Sequence, residues 1–157
     1  MTWSGRWVNA AWRFGPLLLW MAAISGFSSD SFSSDNTGGY LLPILHWAFP
    51  GAAPADLELW HAGIRKAMHL FAYGILAILW YRTLRPPAGQ WRARVALTAL
   101  ALSAAFAGLD EYHQTFVPSR TGSLVDVGWD SLGATLALLA YAAFRRVRAS
   151  TLAKIRD

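Results

Sequence analysis

The feature that most constrains this chain is the alternation of apolar runs of membrane length with short Arg-rich or acidic segments. Such runs occupy roughly residues 7–27, 66–84, 93–109 and 124–144. Each comes near the ~20 residues that a helix needs to cross a ~30 Å hydrocarbon layer. Lipid offers no water to backbone N–H and C=O groups, so segments of this kind must be helices rather than isolated strands. The chain is 55% hydrophobic and 15% charged, with nine Trp among 157 residues, a balance that soluble domains of this size rarely show. The expected fold is all-α: a polytopic membrane protein with four transmembrane helices, forming a single domain over residues 1–157.

Between the first and second runs lies a long connection, residues 28–65. Its beginning, SSDSFSSDNTGG, is polar and turn-like. Residues 40–49, YLLPILHWAF, are apolar but too short to span, and Pro50-Gly51 closes them. They read as an interfacial or re-entrant segment. Trp47 and Trp60 suit the headgroup zone, and His46 and His61 are expected at the water interface. Arg13, near the start of the first run, can snorkel to the headgroups. A basic start followed by an apolar run also resembles a signal peptide, but Ser25-Gly26-Phe27 is a poor cleavage site, and the segment is read as a retained helix.

Charge asymmetry orients such a bundle. Arg6, Arg13, Arg82, Arg85, Arg92, Arg94, Arg145, Arg146, Arg148, Lys154 and Arg156 fall at one end, and only Arg65, Lys66 and Arg120 at the other. The first end should be cytoplasmic, with both termini inside, as in an inner-membrane protein. The acids collect at the outer end: Asp30, Asp35, Asp56, Glu58, Asp110, Glu111, Asp126 and Asp130. The arginines flank apolar runs, so no nucleic-acid partner is expected despite the basic balance. The absence of cysteine excludes disulfides and thiol chemistry.

The richest stretch for chemistry is residues 108–133, GLDEYHQTFVPSRTGSLVDVGWDSLG. Ionisable groups at membrane depth cost several kcal/mol unless paired or hydrated, so they should face one another or a wet cavity. If the third helix continues past Leu109, Asp110, His113 and Gln114 share a face at i, i+3, i+4. Pro118 ends that helix, Ser123 can cap the fourth, and Asp126 and Asp130 lie one turn apart upon it. Gly133 extends their stripe and permits close helix approach. Lys66, His69 and Tyr73 form a stripe on the second helix, with Lys66 level with Asp110 and Asp126. Ser28 and Ser29 follow the first helix closely enough to reach the cluster.

Several readings fit these residues. Lys66 and Arg120 can simply neutralise the acids as structural pairs, and Asp130 can be a helix–helix hydrogen-bond partner. Imidazole and carboxylate groups are also metal ligands, but HExxH or similar spacing is missing, so neither a metal nor another cofactor is assigned. A carboxylate and a histidine can do acid–base work on a lipid headgroup, which makes Asp110, Glu111 and His113 the catalytic candidates. Lys66, His69, Gln114, Arg120 and Asp126 are the candidates for binding, with Arg120 offering a planar fork for an anionic group.

The run Asp110-Glu111-Tyr112-His113-Gln114-Thr115-Phe116-Val117-Pro118-Ser119-Arg120, followed by Asp126 and Gly133, resembles the signature of the VanZ-like family. The serine-rich exit at Phe27-Ser28-Ser29 and the Lys66, His69, Tyr73 stripe are similar to that family as well. One departure is Asp130, where the pattern leads one to expect Asn. The resemblance implies a small bacterial membrane protein, in a family whose named member is associated with resistance to the glycopeptide teicoplanin. The expected function is binding or modification of an envelope lipid or cell-wall precursor at the outer leaflet, with a membrane lipid or lipid-linked anionic molecule as ligand. No nucleophile–base pair is legible, so enzyme and binding protein both stay open. The alternatives are a small transporter or proton-relay subunit, and a non-catalytic structural partner. Polar residues thin out in the inner halves of the runs, which argues against a relay.

Overall fold

The computed structural model describes residues 3–29, 33–84, 91–118 and 120–156. Asp30, Arg85 and Ser119 lie outside the described residues. The chain forms five helices: α1 Trp3–Phe27, α2 Ser34–Ala48, α3 Pro54–Thr83, α4 Ala93–Gln114 and α5 Leu124–Arg156, with no strand among the described residues. Three of them, not four, are long and apolar enough to cross a membrane: Pro54–Thr83, Ala93–Gln114 and Leu124–Thr151. The expected first span does form a helix, but Arg13, Pro16 and its tryptophans dilute its apolar run.

Long α1 lies antiparallel to α3 and is tied to it along its length. Near the Arg-rich end, Arg13 Nε donates to Thr83 O at 2.8 Å and Thr83 Oγ1 donates to Arg13 O at 3.2 Å. The cation thereby satisfies one of the carbonyls that α3 leaves unpaired at its C-terminus. Further along, Trp20 Nε1 donates to Ala72 O at 2.9 Å.

Two apolar clusters hold the bundle. At the Arg-rich end, Ala77 and Tyr81 of α3 pack with Ala96 and Ala99 of α4 and Ala134 and Leu138 of α5. Trp91 stacks on Tyr81 with ring centroids 4.9 Å apart, and the Tyr81 hydroxyl accepts from Arg92 N at 3.1 Å. Towards the other end, Leu17 and Ile24 of α1 meet Tyr73, Leu76 and Ala107. Many contacts use alanine or glycine, because van der Waals packing at short range replaces the hydrophobic drive that lipid removes. Gly133 is the extreme case. A Cβ there would overlap the backbone of Leu70, so α5 and α3 touch main chain to main chain.

The connection before α3 departs most from expectation. The helix α2 begins at Ser34, so residues 34–39 of the stretch read as polar turn are helical. Ser33 is the N-cap, its hydroxyl accepting from Asn36 N at 3.3 Å. With 15 residues α2 is too short to cross. Helix α3 begins at Pro54, well before Lys66, and its added turns pack against α2. His61 is accordingly 3% exposed instead of lying at the water interface. Its Nε2 meets Thr37 Oγ1 at 3.2 Å, and Arg65 Nη1 donates to the same oxygen at 2.9 Å. Phe49 and Trp60 close the turn edge to face, 5.0 Å apart.

Candidate functional site

The polar groups meet where α3 passes the C-terminal end of α4 and the N-terminal end of α5. Lys66 of α3 pairs with Asp126 in the first turn of α5, and both side chains stay partly exposed, at 44% and 30%. One turn deeper on both helices, His69 Nδ1 lies 3.2 Å from Asp130 Oδ1. The two pairs form successive rungs between α3 and α5, and the next contact inward is the Leu70–Gly133 crossing. With Asp130 ionised, its carboxylate can only accept, and Nδ1 carries the proton in this bond. Nε2 of His69 has no hydrogen-bond partner among the described residues and is the ring nitrogen free to act.

Helix α4 supplies two buried carboxylates. Asp110 Oδ2 accepts from Ser28 Oγ at 2.5 Å and from Gln114 Nε2 at 3.2 Å. Glu111 Oε1 accepts from Gln114 Nε2 at 3.3 Å, and Oε2 accepts from Ser123 N at 2.8 Å. The Gln114 amide thus bridges both acids. Glu111 also satisfies a backbone donor just ahead of α5, where negative charge suits the helix dipole. The chain turns tightly to reach it: a Cβ at Gly122 would overlap the Glu111 carbonyl. Among the described residues, the Tyr73 hydroxyl and Asp130 Oδ2 in this cluster are buried and meet no hydrogen-bond partner. Such atoms are uncommon in folded proteins and mark polar interiors that are incompletely satisfied.

Seven of the eight residues singled out in the sequence gather at this end, and they divide by role. Lys66 and Asp126 sit at the open edge. Asp110, Glu111 and Gln114 are buried, and His69, partly exposed at 31%, leans on the buried Asp130. Arg120 turns to α1, its Nη2 donating to Phe27 O at 2.9 Å and Ser29 O at 3.4 Å. It therefore holds the C-terminus of α1 against the loop before α5. His113 is the one left out. It is exposed on α4, because the buried side of that helix runs through Ser103, Ala107, Asp110, Glu111 and Gln114, and a 100° step per residue turns His113 away from it. Asp130 is the residue whose importance the sequence understated. Its signal was its position one turn below Asp126, facing the Lys66–His69 stripe. Among the described residues no three His, Asp or Glu side chains converge as a metal would require.

A family model described as VanZ/LLP1 matches residues 14–145, most of the chain. The chain belongs to the VanZ-like family. The match takes in Ser28, the α3 stripe, the α4 acids and both α5 carboxylates, so the polar end of this VanZ-like bundle lies wholly inside the family region. No curated protein and no solved structure matches the chain. Family membership and the three long apolar helices together make it a multi-pass membrane protein.

Proposed function

We propose that this VanZ-like protein acts at the outer leaflet of the bacterial inner membrane, where its polar end binds an envelope lipid or lipid-linked cell-wall precursor. Supporting the reading above all is the grading of the α3–α5 rungs. An ion pair open to the surroundings stands over a His–Asp pair, with further buried acids alongside. A purely structural lock would have no need of an open edge. The excess of arginine at the opposite end supports a cytoplasmic location for that end and for both termini. Glycopeptide tolerance, the property attached to the family's named member, follows on this reading if the ligand is a precursor that such drugs recognise.

The His69–Asp130 pair favours modification of the ligand over binding alone. An acid that orients Nδ1 leaves Nε2 to take a proton from a hydroxyl or water of the bound molecule. The acids first suspected are less suited, since Asp110 and Glu111 already accept from Ser28, Gln114 and Ser123 N.

Lipids that co-purify with the protein from a total bacterial lipid extract, identified by mass spectrometry, provide the test. Wild-type protein should retain one lipid class; His69→Gln, whose amide can still donate to Asp130, should lose it while keeping the wild-type melting temperature, and Gln114→Ala, which takes a donor from Asp110 and Glu111, should lose it at a temperature where that variant is still folded. Expression of the wild type should raise teicoplanin tolerance, and the variants should not. Folded variants with undiminished lipid retention and tolerance would sink the proposal.

A further inference from the structure

Just inward of the Lys66–Asp126 pair, an open groove of about 540 Å³ runs beside the α3–α5 crossing. It is lined by Ala67, Leu70, Phe71 and Gly74 on α3 and by Gly133 and Ala137 on α5, and it continues along α3 to Leu79. Every lining residue is apolar. Its outer end begins at Ala67, next in sequence to the half-exposed Lys66. Gly74 and Gly133 set its floor: they let α3 and α5 close main chain to main chain at the seam, where a Cβ on Gly133 would overlap the Leu70 backbone, and the groove lies beside that contact.

We infer that this groove holds one acyl chain of a phospholipid whose headgroup rests at Lys66 and Asp126. The inference rests on the reading of the polar end as a lipid site and adds where the chain lies. Length fits: from Ala67 to Leu79 a helix rises ~18 Å, close to the ~15 Å half-thickness of the hydrocarbon layer that one chain traverses. The main competitor is a helix from a second copy of this chain. Charge fits a zwitterionic headgroup, with its phosphate at the Lys66 ammonium and its own ammonium at the Asp126 carboxylate. An acyl chain gains no hydrophobic free energy by leaving other lipid, so selection comes from close packing in the groove together with the headgroup contacts.

The test uses the full-length protein in vesicles of phosphatidylethanolamine and phosphatidylglycerol, doped with phosphatidylethanolamine carrying a photoreactive diazirine in its acyl chain. After illumination, adducts mapped by mass spectrometry should concentrate in residues 67–79 and 133–137, well above those at Leu97, an exposed apolar residue of α4. Ala67→Trp should bring the groove adducts down to the Leu97 level with an unchanged melting temperature, and Ala67→Leu serves if the tryptophan variant does not fold. Lys66→Gln should lower them too, because head and chain belong to one molecule. Equal labelling at the groove and at Leu97 in the wild type would overturn the inference. So would disulfide-linked dimers from Phe71→Cys in this otherwise cysteine-free chain, since they would put a second copy in the groove. If either result appears while Gln114→Ala still abolishes lipid co-purification, the groove assignment fails and the outer-leaflet reading stands. Loss of both would remove both.

Discussion

Ser28 Oγ donates to Asp110 Oδ2 at 2.5 Å, joining the exit of α1 to the C-terminal end of α4 across 82 residues of sequence. Both groups are buried, so Ser28→Ala leaves a buried carboxylate short of a donor. The expected loss is about 1–3 kcal/mol, read as a lower thermal or denaturant midpoint of the purified protein. Ser28→Thr keeps the hydroxyl and should recover most of the loss.

The two α3–α5 rungs should differ in strength. Lys66→Ala removes a partly exposed partner and is expected to cost about 1 kcal/mol or less. His69→Ala strands a 1% exposed Asp130 and is expected to cost roughly 3 kcal/mol. Adding Asp130→Asn to His69→Ala should restore part of that loss, whereas Lys66→Ala with Asp126→Asn should show weaker coupling. Additivity at both rungs in a double-mutant cycle would mean that neither pair exists.

Close approach at Gly133 carries its own expectation. Gly133→Ala forces α5 off the Leu70 backbone and should destabilise by about 1–3 kcal/mol. Gly63→Ala, on the same α3 but with nothing within 4 Å of the added carbon, should be neutral or slightly stabilising, since alanine favours helix. Similar effects of the two substitutions on the melting temperature would argue against the main-chain contact.

Orientation is open to direct measurement because the chain has no cysteine. Single cysteines at Ala53 and Thr121, both exposed, should react with an impermeant thiol reagent in intact spheroplasts. Cysteines at Ala93 and Ser150, exposed at the Arg-rich end, should react only after lysis. The reverse pattern would invert the protein in the membrane.

Much of this arrangement was legible from periodicity and charge. Asp110, Gln114, Asp126, Asp130, Lys66 and His69 fall at helical spacings on three apolar segments, and burying such groups in lipid leaves few places for them other than against one another. What the sequence concealed depended on which neighbour covers which face. His113 shares the i, i+3 spacing with Asp110 but lies beyond the covered arc of α4. His61 looked interfacial because the start of α3 was placed near Lys66, and the additional turns from Pro54 put it beneath α2. Arg120 read as an anion-binding fork, yet the carbonyls of Phe27 and Ser29, distant in sequence, claim its Nη2. Residues 34–39 read as a turn because Gly38 and Gly39 are weak helix formers. Packing against α3 overrides that preference: a Cβ at Gly38 would already touch His61.

The rungs between α3 and α5 also bear on how the chain enters the membrane. Asp126 and Asp130 lie on α5, and their partners, Lys66 and His69, lie on a helix made some sixty residues earlier. An aspartate at the centre of a crossing helix costs insertion roughly 2.5–3.5 kcal/mol, and Asp126 and Asp130, near the start of α5, bear a smaller share of that cost each. α5 therefore enters most readily beside an α3 that already waits in the membrane, so removal of α3 should turn α5 from a stable insertion into a segment that slips back out.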